Sequence, residues 1–413
     1  MFFPGRANVL ARWWLSLFLG VGAALGLARP VQGQAGIEVS EVQVQYQFGE
    51  EILFRARIQP SSEIQQVFVL FRQATEDVTR LEVMQAEGGD LFSFRYDARQ
   101  NVLPPFATIV FWFQMTRADG STQTSPQYMF RYEDNRFPWQ QRQEGGVRVH
   151  WYEGDDAFGQ AALTAARRGL DAIEQVMPVS LDAPVDIFIY ASVEDLQSAL
   201  VLGGEEWVGG HASPALGVVL VSIAPAASQS IEMETKIPHE LAHVMMYRAV
   251  GESYNRLPVW LLEGVASTVE LYPNPDYDHA LRLASQNRSL LAISDLCQAF
   301  PPDSGRAFLA YAEVQSFVRY LREMYGATGL MALTKAYVDG LACEIGATRA
   351  VGMSLSQLEV RWREAVLGQN VGGVALRNLT PYLFILVVIL IVPVWSAVGV
   401  LRKRRQKDGG AEQ

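Results

Sequence analysis

The sequence predicts three bodies in a row: an all-β sandwich of the immunoglobulin or fibronectin type, an α+β domain, and one C-terminal transmembrane helix. Apolar residues recur at every second position between Ile37 and Tyr132. After Val147 that alternation gives way to strands mixed with helical spacing, and from Ser230 to Trp362 the spacing is helical almost throughout. Finally, nothing charged occurs from Asn378 to Leu401, and four cations, Arg402 to Arg405, follow at once.

At 413 residues the chain is long enough for two or three domains. With 49% hydrophobic and 19% charged residues it can bury real cores, which excludes wholesale disorder. Two cysteines exclude a disulfide-knit miniprotein and a four-cysteine zinc ribbon. The net charge of −10 conceals an asymmetry: both ends are basic, so the middle, 36–376, carries a net of −17. So acidic a body repels phosphate backbones, and a nucleic-acid partner is not expected.

Residues 1–35 have the layout of a secretory signal. Arg6 and Arg12 precede an apolar run from Trp13 to Leu27, and small residues at Gly33 and Ala35 suit cleavage near Ala35. An uncleaved signal anchor is the alternative. In the sandwich, 36–133, Ile52, Phe54, Ala56 and Ile58 alternate with charged or polar neighbours, as do Val67, Val69 and Phe71, and Ile109, Phe111, Phe113 and Met115. About seven strands result, separated by turn residues such as Gly88-Gly89-Asp90. No side chains in it suggest chemistry, so it is expected to act as a spacer or to bind a protein partner.

Residues 134–146 lack periodicity and end in Gly145-Gly146, which reads as a linker. The α+β domain, 147–370, opens with a strand at Val147–Trp151. A helix over 157–177 is capped by Asp155 or Asp156, and a strand follows at Val185–Tyr190. Ser192 with Asp195 signals another helix start, and Gly217–Ile223 is a further strand. After a juxtamembrane linker, 371–378, the apolar run gives a span at 379–401, long enough for the roughly 20 residues that a bilayer requires. The basic cluster then places the tail, 402–413, in the cytoplasm and the body outside, as a single-pass cell-membrane protein. Cys297 and Cys343 would sit in a space that permits a disulfide; a bridge and two buried thiols both remain open.

The chemistry centres on His239-Glu240-Leu241-Ala242-His243, an H-E-x-x-H sequence. On a helix, positions i and i+4 share a face, so both imidazoles can reach one zinc ion, with Glu240 beside them as general base. With Thr235 as the cap, Pro238 falls in the first turn, where its missing N–H is harmless. Ile237, Leu241, Val244 and Met245 supply the buried stripe opposite. Catalytic zinc takes three protein ligands and keeps one position open. Twenty positions after His243 comes Glu263, within Trp260-Leu261-Leu262-Glu263-Gly264-Val265-Ala266.

This pair of motifs resembles the gluzincin metallopeptidases, the thermolysin-like clan, and within it the bacterial peptidase-MA-like families. The resemblance runs from about Val147 to Trp362 and includes Trp207 to Pro214 as a cleft-lining hairpin and Ala310 to Leu321 as a downstream helix. It implies a zincin-like fold, a zinc cofactor held by His239, His243 and Glu263, and Glu240 as catalytic base. It also points to Tyr311 as donor to the transition state, with His211 as the other candidate. Some gluzincins carry an acid four residues after the third ligand to orient a zinc-bound histidine; that position here is Ser267, with Glu270 one turn on. The expectation is a membrane-anchored, outward-facing zinc metallopeptidase acting on peptides or proteins. Because no acid stands in Gly209-Gly210-His211 to hold a substrate amine, though Glu205 and Glu206 are close, an endopeptidase is favoured over an aminopeptidase. The alternative is a non-catalytic surface scaffold whose sandwich binds a partner.

Overall fold

The computed structural model describes residues 36–200, 209–369 and 379–391, with positions 393, 395, 397 and 399. The expected signal segment, the juxtamembrane linker 371–378 and the tail 402–413 lie outside the described residues, as do Glu205, Glu206 and Trp207.

Nine strands come first: β1 (Glu38–Gln47), β2 (Glu51–Gln59), β3 (Ile64–Gln73), β4 (Arg80–Val83), β5 (Gln85–Gly88), β6 (Leu91–Asp97), β7 (Thr108–Arg117), β8 (Thr122–Thr124) and β9 (Tyr128–Arg131). They form two antiparallel sheets, ordered β1-β2-β6-β5 and β4-β3-β7-β8, with β9 pairing the other end of β7. The alternating residues, Phe54, Phe71 and Phe113 among them, fill the space between the sheets. The nine exceed the expected seven through short strands that carry no clean alternation: β4 and β5, mostly exposed on either side of Met84, and the three-residue β8.

A third sheet follows, ordered β10-β11-β12-β14-β13. Its strands are β10 (Gln140–Glu144), β11 (Val147–Trp151), β12 (Val185–Tyr190), β13 (Gly210–Ser213) and β14 (Val218–Ser222). The three inner strands are parallel, linked through α1 (Asp156–Val176) and α2 (Val193–Leu200), and both edge strands run antiparallel. Asp155 caps α1 by accepting from Phe158 N, and Ser192 Oγ accepts from Asp195 N at the start of α2. Residues 134–146, a linker by composition, thus contain an edge strand.

The inner strands are buried on both faces, as parallel strands are. Val219 and Val221 pack with the helices, whereas Val218 and Leu220 join the sandwich core together with Phe188 and Tyr190. Phe106 of the sandwich stacks on Phe188 with ring centroids 3.5 Å apart. Beside them Asp186 accepts from Arg131, at 2.9 Å, and from Arg148, while His150 Nε2 lies 2.9 Å from it.

The remaining elements are helical: α3 (Gln229–Val250), α4 (Val259–Thr268), α5 (Tyr277–Asn287), α6 (Ser304–Val338, kinked at Gly326), α7 (Cys343–Val351) and α8 (Leu355–Leu367). Cys297 and Cys343 are joined, which selects the bridged alternative. Two expectations need correction. Helix α3 starts at Gln229 rather than after Thr235, so Pro238 lies inside it. And among the described residues no helix is long and apolar enough to cross a membrane, which removes the transmembrane helix expected over 379–401.

Candidate metal centre

Helix α3 crosses the helix-facing side of the third sheet, with Ile237, Leu241, Val244 and Met245 buried beneath it. That leaves His239 and His243 on the other face, one turn apart, with ring centroids separated by 5.3 Å. After Val250 the chain reverses through Gly251, at φ +59°, and a 3-10 turn over Gly251–Arg256. Pro258 in extended geometry then starts α4. Gly264 seats α4 against α6: a Cβ there would lie 2.4 Å from Val318 Cγ2 and 2.9 Å from the Val314 carbonyl. The preceding residue, Glu263, therefore faces α3.

Its carboxylate lies between the imidazoles. Glu263 Oε2 is 3.4 Å from His239 Nε2, and Oε1 is 3.8 Å from His243 Nε2. The three ligand atoms lie within 4.8 Å of one another. A tetrahedron with arms of ~2.1 Å has edges of ~3.4 Å, so the two nitrogens and one oxygen fit three corners of a zinc site. Each imidazole is steered from behind. His239 Nδ1 is 2.9 Å from Glu270 Oε1, and His243 Nδ1 is 2.9 Å from the Tyr254 hydroxyl. Both contacts turn Nε2 towards the common centre. Glu270 is itself buried, and its Oε2 has no hydrogen-bond partner among the described residues.

Charges in the cluster are displaced from their ordinary ranges. Burial pushes Glu240 up to about 7, with Glu263 and Glu270 adding to the rise and His239 opposing it. Burial lowers His243 to about 4, so its ring is neutral at neutral pH with a lone pair to give. Burial opposes charge on His239 as well, yet Glu263 and Glu270 outweigh it and hold the ring well above its usual range. A cation arriving there must displace that proton.

A cavity of about 260 Å³ opens over the cluster. Strand β13 forms one wall through Gly210, His211 and Ala212, and Tyr254 and Tyr311 form another. Glu240 lies against Gly210 so closely that a Cβ would stand 2.4 Å from its Oε1. Tyr311, on α6, places its ring 6.2 Å from that of His239, and its hydroxyl helps to hold the Glu263 carboxyl below its ordinary range. In the β13 register Gly210 pairs with Val221 and Ala212 with Val219, on the face that meets α3. His211 also lines the cavity and lies near enough to His243 to oppose a charge on it, so both candidate donors border the site.

The structure thus brings together all five residues singled out in the sequence: His239, Glu240, His243, Glu263 and Tyr311. Two others gain a role only in the fold. The sequence marks Glu270 merely as a neighbour of Ser267, and Tyr254 not at all. The short link between His243 and Glu263 has to fold back over the site, so a tyrosine within it is the available signal.

Residues 165–368 match the sequence model of the Peptidase MA superfamily. Among solved structures, the chain is similar to an M1 zinc metallopeptidase from Deinococcus radiodurans, at 14% identity over 80% of this chain and 94% of that one, with a TM-score of 0.38. It is also similar to OgpA from Akkermansia muciniphila, at 15% identity over 24% of this chain and 30% of that one, with a TM-score of 0.20. The chain therefore spans less than a third of the length of OgpA. No curated protein sequence matches.

Proposed function

We propose that this chain, which through residues 165–368 belongs to the Peptidase MA superfamily, is a zinc-dependent metallopeptidase that hydrolyses internal peptide bonds. The convergence of His239, His243 and Glu263, with Glu240 at their side, carries the reading. Those three side chains would hold a zinc ion, which would supply Lewis-acid chemistry towards a substrate carbonyl and a water. Glu240 takes the proton from that water and returns it to the leaving amine. Its elevated proton affinity suits both halves of the transfer. The Tyr311 hydroxyl turns from Glu263 to the oxygen on which charge develops. Among the described residues β13 is an edge strand, whose outer backbone groups suit an extended peptide, and Gly210 keeps that wall clear of Glu240.

Among the described residues lining the cavity, the carboxylates are Glu240 and Glu263, both already engaged, and this favours internal bonds over recognition of a terminal amine. The disulfide between Cys297 and Cys343 favours an extracytoplasmic location. The test is incubation of the protein with a diverse peptide mixture, with and without a chelator, and mapping of the new termini. Chelator-sensitive cuts away from chain ends are expected. No cleavage across the mixture would support a scaffold instead, and single-residue trimming would make the protein an exopeptidase.

A further inference from the structure

Helix α3 runs unbroken from Gln229 to Val250, yet it contains Pro238 immediately before His239. A proline has no N–H to give, and its ring presses against the carbonyl one turn earlier. In this helix that carbonyl belongs to Glu234. It is not left bare: the backbone N–H of Leu271, arriving from the end of α4, donates to it at 2.8 Å. Beside the first, Thr235 Oγ1 lies 2.9 Å from the carbonyls of Tyr272 and of Ile231, between which its single proton is shared. The residue just before this pair is Glu270, whose Oε1 meets His239 Nδ1 at 2.9 Å. Residues 270–272 are therefore fastened to α3 at three successive points. On the far side α1 comes close enough that a Cβ on Gly169 would lie 3.0 Å from the Pro238 ring.

We infer that Pro238 is a positioning residue for the metal centre: by withholding a hydrogen bond from Glu234 it frees the carbonyl that latches Leu271, and so sets Glu270 behind His239. Any other residue at 238 supplies an N–H that competes for the same oxygen within the helix. The Glu270 carboxylate then loses its backbone anchor one residue away. The metal-facing nitrogen of His239 loses in turn the partner that fixes its tautomer and direction. A proline merely tolerated in the helix would behave otherwise. Its replacement would only relieve the helix and leave the site as it was.

The inference rests on the zinc reading, so its test has one readout with zinc and one without. In the metal-free full chain, hydrogen exchange at the Leu271 amide is compared between wild type and Pro238→Ala. Protection is expected in the first and its loss in the second, while amides elsewhere in α4 and α6 keep theirs. In parallel, zinc affinity is measured by chelator competition for wild type, Pro238→Ala, Glu270→Ala and the double variant. Each single change should weaken zinc by about tenfold or more, the scale expected for an outer partner of a metal ligand. The double variant should be no weaker than Glu270→Ala alone. Thr235→Val, which leaves the proline ring in place, should weaken zinc by a smaller factor, and not at all once Glu270 is gone. It decides the matter if Pro238→Ala fails to fold. An unchanged Leu271 amide, or losses that multiply in the double variant, would overturn the latch. Loss of protection at Leu271 in a chain whose wild type takes up no zinc would uphold the latch and overturn the zinc reading.

Discussion

Glu240 is defined by what surrounds it: burial against the Gly210 strand raises its proton affinity, and the neighbouring carboxylates raise it further. A base must be unprotonated to work, so peptide cleavage should decline on acidification as Glu240, whose proton affinity is raised, takes up a proton. Zinc retention should decline in the same direction, because Glu263 and Glu270 favour a proton on His239 that competes with the metal. Parallel pH profiles of cleavage and of chelator competition check this, and a rate that rises on acidification would refute it. Glu240→Gln keeps the shape and removes the base. Cleavage should fall by about 10²–10⁴-fold with zinc content and melting temperature unchanged, and equal cleavage by wild type and variant would exclude general-base catalysis here. At this scale the sequence is highly legible. His239, Glu240 and His243 can be picked out because helical periodicity turns a spacing along the chain into a shared direction in space, whereas Glu263, on a second helix, is marked by the resemblance that its motif carries. Glu270 and Tyr254 cannot, since each reaches its imidazole through a chain reversal that no local spacing encodes.

Helices α3 and α4 carry the cluster, and how close they come to their neighbours decides its geometry. Gly264 is where α4 touches α6, and valine there would meet Val318 and the Val314 carbonyl. Gly264→Val should cost about 1–3 kcal/mol in stability through overpacking and weaken zinc, because Glu263 moves with the displaced helix. A denaturant titration together with a zinc competition assay reads both, and a variant as stable and as zinc-avid as wild type would show that the contact yields freely. Two sequence readings fail at this scale, for different reasons. Pro238 reads as a first-turn residue because proline usually costs an interior helix a hydrogen bond. The structure gives that bond to Leu271, a partner remote in sequence. The apolar run before Arg402 satisfies the length rule for a span, whereas among the described residues no helix has both the length and the apolarity.

At the scale of the whole molecule, the sandwich is joined to the third sheet by apolar packing and by the Asp186 cluster. Burial opposes the charge of Asp186, but His150, Arg148 and Arg131 overrule it and hold the carboxyl far below its ordinary 3.8. A depressed folded-state value means that this contribution is complete above about pH 4 and fades as the pH drops towards the folded value. Asp186→Asn leaves Arg131 and Arg148 without their anion and should cost about 3 kcal/mol, at the low end for a broken buried pair because the arginines are partly exposed. The variant's melting temperature should also lose the wild type's sensitivity to acid in that range; an unshifted melting temperature at neutral pH would reject the cluster as a brace. The alternation that identifies the sandwich strands cannot reveal this joint, because a strand buried on both faces carries no alternation to read. Strand β14 is such a strand, and it serves as a party wall. Its side chains point by turns into two cores, so neither core can be dismantled while the other keeps its wall. The two ends of the body should then share a single melting event. A cation held at one end would protect the other by mass action, by about 2.7 kcal/mol at a hundredfold excess over its dissociation constant. Fluorescent labels placed separately in the sandwich and near α6 should report one common midpoint that climbs with added zinc, and a sandwich midpoint indifferent to the metal would mean that the two cores come apart independently.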